Sequence, residues 1–335
     1  MKKSAYENGS SAKRVKKHHP VLIVIIIFLL LAALLIASAA IFAGRLLGKI
    51  NRIDYGAIKI VPPSEATDEV DVQNIENKDI DWWKTEKLDS PDLVNIILVG
   101  QDTRGEERER SDAMILCSVN IKTFDISLIS FMRDLYVQMP EGYMDNRMNA
   151  AYAFGGFPYL YEVFEKNFGI IVDGGIEVDF SGFKNIINIL GGVDIELTAA
   201  EAEYLGKGLH EGKNHLTAAQ ALSYSRIRHL DSDFGRTQRQ RNVLNSIYAS
   251  VKGSDVKTIL SLADSFLPYV TTDMTNTQIL DLTFDLGSHI SSLNVKSYRI
   301  PVDDGYCDDI IRGMMVLVPD LKANHDALKN YLPLT

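Results

Sequence analysis

The sequence predicts an α/β sandwich, a mixed central sheet flanked by helices, tethered outside a membrane by one N-terminal helix. Three observations predict it. Short runs of continuous apolar residues end in glycine or charge, as strands buried on both faces do. Longer segments with capping residues alternate with them and read as helices, so strands and helices are mixed in a single domain. Residues 21–43 are apolar apart from Ser38.

The elements follow in order. Residues 1–20 form a basic tail, with Lys2, Lys3, Lys13, Arg14, Lys16 and Lys17 against one acid, Glu7. At a rise of about 1.5 Å per residue, residues 21–43 span a hydrocarbon core of roughly 30 Å. Ala37-Ser38-Ala39 resembles a signal-peptide cleavage site. The apolar stretch exceeds the usual apolar region of such peptides, about 7–15 residues, which favours an uncleaved anchor. The larger positive excess precedes the span, so the tail is expected in the cytoplasm and the bulk outside.

Residues 44–91 read as a linker, with weak periodicity, Pro62-Pro63 and a run of acids. Trp82-Trp83 within it read as packed on the domain. Residues 92–335 form the expected domain. Asn95–Gly100, Ala113–Val119 and Ile126–Phe131 read as buried strands, and Val295–Ile300 as a late one. Residues 149–168 read as a helix containing an awkward Gly155-Gly156. Ser181 is the expected cap of a helix over 182–190, stopped by Gly191-Gly192, and Thr217 caps the next. Residues 235–252, 255–266, 276–288 and 319–331 complete the helices. Cys117 and Cys307 are too few for a disulfide framework, and whether they pair is left open.

The formal net charge is −9, and removing the basic tail leaves the remainder more acidic still. Against that background, Arg226, Arg228, Arg236, Arg239 and Arg241 crowd into one short segment. Such density on an acidic chain points to a local site for a multiply charged anion, because guanidinium forks match phosphate oxygens. Three further charged segments flank the apolar strands: Asp102-Thr103-Arg104, Arg110-Ser111-Asp112 and Arg133-Asp134. Strand ends are where α/β sheets place ligands. Asp102 and Asp112 are candidate ligands for a hard divalent cation, since Mg²⁺ takes one or two carboxylates and fills its shell with water and substrate phosphate. They equally fit a role in orienting Arg110 and Arg133.

Arginines at i and i+2 do not share a helix face. An extended backbone past Ser225 would point Arg226 and Arg228 the same way.

Asn95-Ile-Ile-Leu-Val-Gly-Gln-Asp-Thr-Arg, Arg110-Ser-Asp-Ala-Met, Ser130-Phe-Met-Arg-Asp and Arg147-Met-Asn-Ala-Ala-Tyr-Ala resemble segments of the LytR-CpsA-Psr family. So do Asp179-Phe-Ser-Gly-Phe, Leu190-Gly-Gly-Val-Asp-Ile, the run from Leu216 to Arg228, and Asp233-Phe-Gly-Arg-Thr-Gln-Arg-Gln. The matches run in order over roughly residues 92–255.

The resemblance implies a membrane-anchored bacterial envelope enzyme. Such an enzyme moves a glycopolymer, teichoic acid or capsular polysaccharide, from a polyprenyl-pyrophosphate carrier to peptidoglycan. It implies Asp102 and Asp112 as ligands of Mg²⁺, or of Mn²⁺ in its place. It implies Arg110, Arg133, Arg226, Arg228 and Arg236 as pyrophosphate ligands, with Asp233 and Gln240 as further polar groups of the site. Arg147 stands where many members carry lysine. Arg133, Asp102, Arg110 and Asp134 are the expected catalytic set. Asp134 is either a base or a clamp on Arg133. A lipid pocket between sheet and helices is also implied, with Phe154, Phe157, Phe164, Phe168, Phe183, Ile187 and Leu190 as expected walls. His210, His215 and His229 are read as non-catalytic.

The rival readings are a hydrolase acting on the same carrier and a non-catalytic envelope sensor. No nucleic-acid partner is expected, because a tail of about 20 residues leaves no room for a DNA-binding fold.

Overall fold

The computed structural model describes residues 42–53, 80, 82, 84–101, 111, 113–140, 143–206, 208–252, 254–287 and 289–334. The chain forms two units, one ending at Leu47 and the other beginning at Gly48. In the first, residues 42–47 are helical. Among the described residues no helix is long and apolar enough to cross a membrane. The span expected over 21–43 lies outside the described residues except for its last two.

The second unit is built on a mixed seven-stranded sheet. Its centre is an antiparallel meander of β2 (Leu93–Gln101), β3 (Ala113–Asn120) and β4 (Asp125–Phe131). On one side β7 (Gly174–Asp179) pairs parallel to β2, followed by β10 (Thr271–Thr272) and β1 (Asn51–Arg52). On the other side β11 (Asn294–Ile300) pairs parallel to β4. The expected strands are present within two residues of their expected ends.

Two helical layers cover the sheet, and register shows which face each takes. Ile97, Val99, Met114, Leu116, Ile129 and Phe131 alternate onto one face and are at most 2% exposed. Against them pack α1 (Met148–Phe168) and α8 (Leu321–Tyr331). Ile96, Leu98, Ile115, Cys117 and Leu128 point the other way, because successive strand residues alternate sides. That face looks toward α5 (Asp233–Val251): Asn245 bonds Ser297, and the Arg299 guanidinium lies 4.0 Å from the Phe234 ring centre. A second core gathers α2 (Phe180–Ile189), the hairpin β8 (Val193–Leu197) with β9 (Gly212–Leu216), and the helices α3 (Ala199–Leu205) and α4 (Ala218–Ser225). The remaining helices are α6 (Val256–Phe266) and α7 (Asn276–Gly287); β5 (Tyr136–Val137) pairs with β6 (Asn146–Arg147), and β12 (Tyr306–Ile311) with β13 (Met314–Pro319) forms a hairpin.

Several expectations change. Asp179, not Ser181, caps α2: its carboxylate accepts from the Gly182 N–H at 2.6 Å. The segment read as a free linker is partly bound. Its residues Asn51 and Arg52 are a sheet strand, Leu88 is 4% exposed, and the Trp82 ring stacks on Tyr136 at 6.2 Å. Strands β7, β8, β9, β12 and β13 and helix α3 were not legible in advance. The helix over 148–168 is two helices meeting at a kink, with Gly155 and Gly156 both outside helical geometry. Cys117 and Cys307 are free thiols rather than a bridge. Burial pushes the Cys117 thiol up to about 12.

Candidate active site

The site lies at the end of β4, where the chain turns through Arg133-Asp134, and at the start of α5. Asp233 is the first residue of α5, and its carboxylate is the hub. Oδ2 accepts from Arg133 Nε at 3.1 Å and from Arg236 Nη2 at 3.3 Å. Oδ1 stands 3.9 Å from Arg228 Nε. One acid therefore orients three arginines drawn from the end of β4, the α4–α5 loop and the first turns of α5. An acid here also suits the positive end of the helix dipole.

Asp134 is engaged in the same way. Its Oδ2 accepts from Arg133 Nε at 3.2 Å, and its Oδ1 is 3.8 Å from Arg147 Nη1. Both contacts fit the clamp, one of the two roles expected of it. Arg147 precedes α1, so the first turn of that helix is anchored to the site.

Arg133, Arg226, Arg228 and Arg236 line one pocket of about 270 Å³. Their placement follows from the local chain. Helix α4 stops at Ser225, and the next three residues alternate: Arg226 is exposed, Ile227 is fully buried in the second core, and Arg228 lies half-buried at the pocket. The buried isoleucine fixes which way its neighbours point. Arg226 is further held over the Phe180 ring, 4.6 Å from its centre. Cation–π contact of this kind is attractive when the ring is close and partly desolvated. Arg236 is 2% exposed, so its charge is delivered from the protein interior. Gln240 sits one helical turn beyond it on the same face of α5.

The arginine cluster of the sequence divides in three dimensions. Arg239 turns away from the pocket and is 5% exposed. Its Nε donates to Glu201 at 2.6 Å, and its two terminal nitrogens donate to Asp231 at 3.1 and 2.7 Å. It also donates to the Ile227 carbonyl at 3.2 Å. Burial opposes the charge on Arg239, but Asp231 and Glu201 outweigh it and hold its pKa above the ordinary arginine value. This buried fork ties α3, α5 and the loop bearing Arg226 and Arg228 together. Sequence reading missed Glu201 and Phe180 as supports of the site. The Thr198–Glu201 capping box is visible in sequence, but no local signal reveals the distant Arg239.

Arg241 also leaves the pocket. It is 4% exposed, donates to Gln238 at 2.6 Å, and among the described residues its Nε and Nη1 find no acceptor. Burial, reinforced by nearby Arg299, lowers its pKa to about 10.

Asp102, Arg110 and Asp112 lie outside the described residues. Among the described residues no group of three or more His, Cys, Asp or Glu could hold a metal ion. Asp134 and Asp233 are committed to arginines.

The seven expected lipid-wall residues do not form one wall. Phe154, Phe157, Phe164 and Phe168 are at most 7% exposed and fill the core between sheet and α1. Phe131 meets Phe164 edge-on at 4.7 Å. Phe183 and Ile187 belong to the second core, and Leu190 ends α2. Sequence cannot tell which sheet face an aromatic-rich helix will cover.

The chain resembles known proteins in sequence and in fold. The LytR-CpsA-Psr family model matches residues 62–331. The chain belongs to that family. It is 33% identical over 247 residues to a polyisoprenyl-teichoic acid–peptidoglycan teichoic acid transferase, TagU, of Bacillus mycoides strain KBAB4, covering 72% of this chain and 79% of the relative. The crystal structure of TagV from B. subtilis superposes with a TM-score of 0.60 at 25% identity, covering 73% of this chain and 99% of that one. TagT bound to LI-WTA superposes with a TM-score of 0.59 at 26% identity, covering 73% and 92%.

Proposed function

We propose that this chain is an envelope phosphotransferase. It moves an anionic glycopolymer, of teichoic acid or capsular type, from a polyprenyl-pyrophosphate carrier to peptidoglycan. A phosphodiester forms and polyprenyl phosphate leaves. The observation that carries the reading is the pocket lined by four arginines from three separate segments and organised by Asp233. The transferase names of its relatives support it.

The chemistry needs positioning and charge more than a covalent helper. An acceptor sugar hydroxyl attacks the phosphorus nearest the glycan. The bond from that phosphorus to the bridging oxygen breaks, and the electron pair leaves with the lipid phosphate. The hydroxyl proton ends on the released phosphate. Arg133, Arg228 and Arg236 hold the pyrophosphate oxygens and offset the charge that builds on the leaving group. Asp233 and Asp134 fix the direction of those forks.

Mg²⁺ held by Asp102 and Asp112 would add charge neutralisation. In support, Gly100 and Ala113, close to these acids in the chain, pair in register at one end of the sheet. The prenyl chain lies along the sheet face turned away from α1. Leu98, Cys117 and Ile176 on that face are only half-buried although they sit on central strands. Residues 21–43 anchor the chain with its catalytic unit outside the cell.

The test is turnover by the full-length chain with a lipid-pyrophosphate glycan and peptidoglycan fragments at varied Mg²⁺. Polyprenyl phosphate is expected to appear in equal amount with glycan-linked peptidoglycan. Release with no linked product would favour hydrolysis. Asp102→Ala and Asp112→Ala are expected to abolish turnover. Full turnover in EDTA would remove the metal from the account.

A further inference from the structure

A second groove opens beside the arginine pocket, and Arg226 lines both. It measures about 520 Å³ and lies between α3 and α4, lined by Tyr204, Leu205, Ala219, Gln220, Ser223 and Arg226. That volume falls within the roughly 300–1,000 Å³ range of small-ligand sites. We propose that this groove holds the sugar of the donor that is joined to the pyrophosphate, and so takes part in choosing which glycan is transferred. The inference rests on the transferase reading above.

Three observations carry it. The first is continuity. A sugar on the distal phosphate is one bond from the pyrophosphate, so the groove that shares Arg226 is the nearest room for it. The second is chemistry. Among the described residues Arg226 is the only charged one of the lining, and the rest offer an aromatic ring, an amide and a hydroxyl. An uncharged polyhydroxylated ring fits that set: its C–H face stacks on an aromatic, and its hydroxyls pair with the amide and hydroxyl. Tyr204 is 50% exposed. Alone it would be ordinary surface. Above a polar groove joined to an anion pocket it is a platform. The Gln220 side chain is also pre-set. Its Oε1 accepts from the Thr217 N–H at 2.9 Å and from its hydroxyl at 3.0 Å, so the amide nitrogen is left as the outward donor.

The third observation is rigidity between the two sites. Arg239 joins Glu201 on α3 to the Ile227 carbonyl, which lies between Arg226 and Arg228. Capping boxes fix the starts of both α3 and α4. The platform and the arginines therefore keep a constant separation, which a site reading one sugar next to one phosphate requires.

The test measures binding of two probes to the full-length chain: polyprenyl pyrophosphate without sugar, and the same lipid carrying one N-acetylhexosamine. Tyr204→Ala is expected to weaken the sugar-bearing probe about 3- to 10-fold, the scale of one aromatic stacking contact, and to leave the sugar-free probe unchanged. Tyr204→Phe keeps the ring and is expected to keep the affinity. Gln220→Met removes the outward donor without adding a charge beside Arg226, and is expected to weaken only the sugar-bearing probe. Equal loss for both probes would make these residues structural, and no loss for either would empty the groove. A raised KM confined to the peptidoglycan fragment in the turnover assay would assign the groove to the acceptor; each of these outcomes overturns the inference. Failure of the wild-type chain to bind even the sugar-free probe would instead strike the arginine pocket itself.

Discussion

Asp233 carries the geometry of the site at the scale of single residues. It accepts from Arg133 and Arg236 and lies close to Arg228, so one carboxylate orients three guanidinium groups. Arg133→Lys is expected to lower turnover about 100-fold, because an ammonium cannot keep one donor on Asp233 and present others as a planar fork. The check is turnover beside thermal melting; wild-type turnover with an unchanged melting temperature would remove Arg133 from the chemistry. Arg241 makes the opposite case. Its buried Nε and Nη1 have no acceptor among the described residues, and a buried unpaired charge destabilises a fold. Arg241→Met is expected to raise stability by about 1–4 kcal/mol in urea unfolding. The folded value near 10 lies below the ordinary arginine value. The unfolded chain holds the proton more tightly, so the penalty is fully present below about 10 and fades as pH rises past it. The gap between variant and wild type is therefore expected to narrow above that pH. A gap that stays constant would point to packing instead.

At the scale of elements, the apolar meander β2–β3–β4 was legible because its strands are continuous hydrophobic runs covered on both sides. Strand β7 was not. Gly174-Gly175 carries the mark of a turn, yet both positions lie in the sheet. A Cβ at Gly175 would stand 2.3 Å from the Phe157 ring, and one at Gly174 would stand 2.3 Å from Met274. These glycines serve close packing, which is a long-range demand that no local pattern reveals. The short strands of β8, β9, β12 and β13 have little local signal for the same reason: cross-strand partners define them. The kink in α1 was half legible. Gly156 has φ 67° and ψ −152°, a region open essentially to glycine alone. Gly156→Ala is expected to cost about 1–3 kcal/mol, read by denaturant unfolding, without changing donor affinity. Unaltered stability would mean that the helix relaxes around the methyl group.

Across the whole molecule, the site gathers residues that are far apart in the chain at one end of one sheet. The end of β4, the α4–α5 loop and the first turns of α5 supply the arginines. Density of arginine on an acidic chain announced that gathering in sequence. Its division into functional and structural members was not announced: Arg226, Arg228 and Arg236 face the pocket, while Arg239 braces it and the α5 residue Arg241 is buried away from it. The expected lipid wall failed as a group for a topological reason. Helix α1 chose the sheet face opposite α5, and four phenylalanines went with it. The most direct measurement of the central claim is a titration of polyprenyl pyrophosphate into the full-length chain, wild type against Arg228→Ala. Arg228 is the test position because it is 38% exposed and stands 3.9 Å from the hub, so its loss spares the core. The account predicts affinity at least about 10-fold weaker at an unchanged melting temperature, the cost of one charge-assisted phosphate contact. Equal affinity in the two proteins would contradict it.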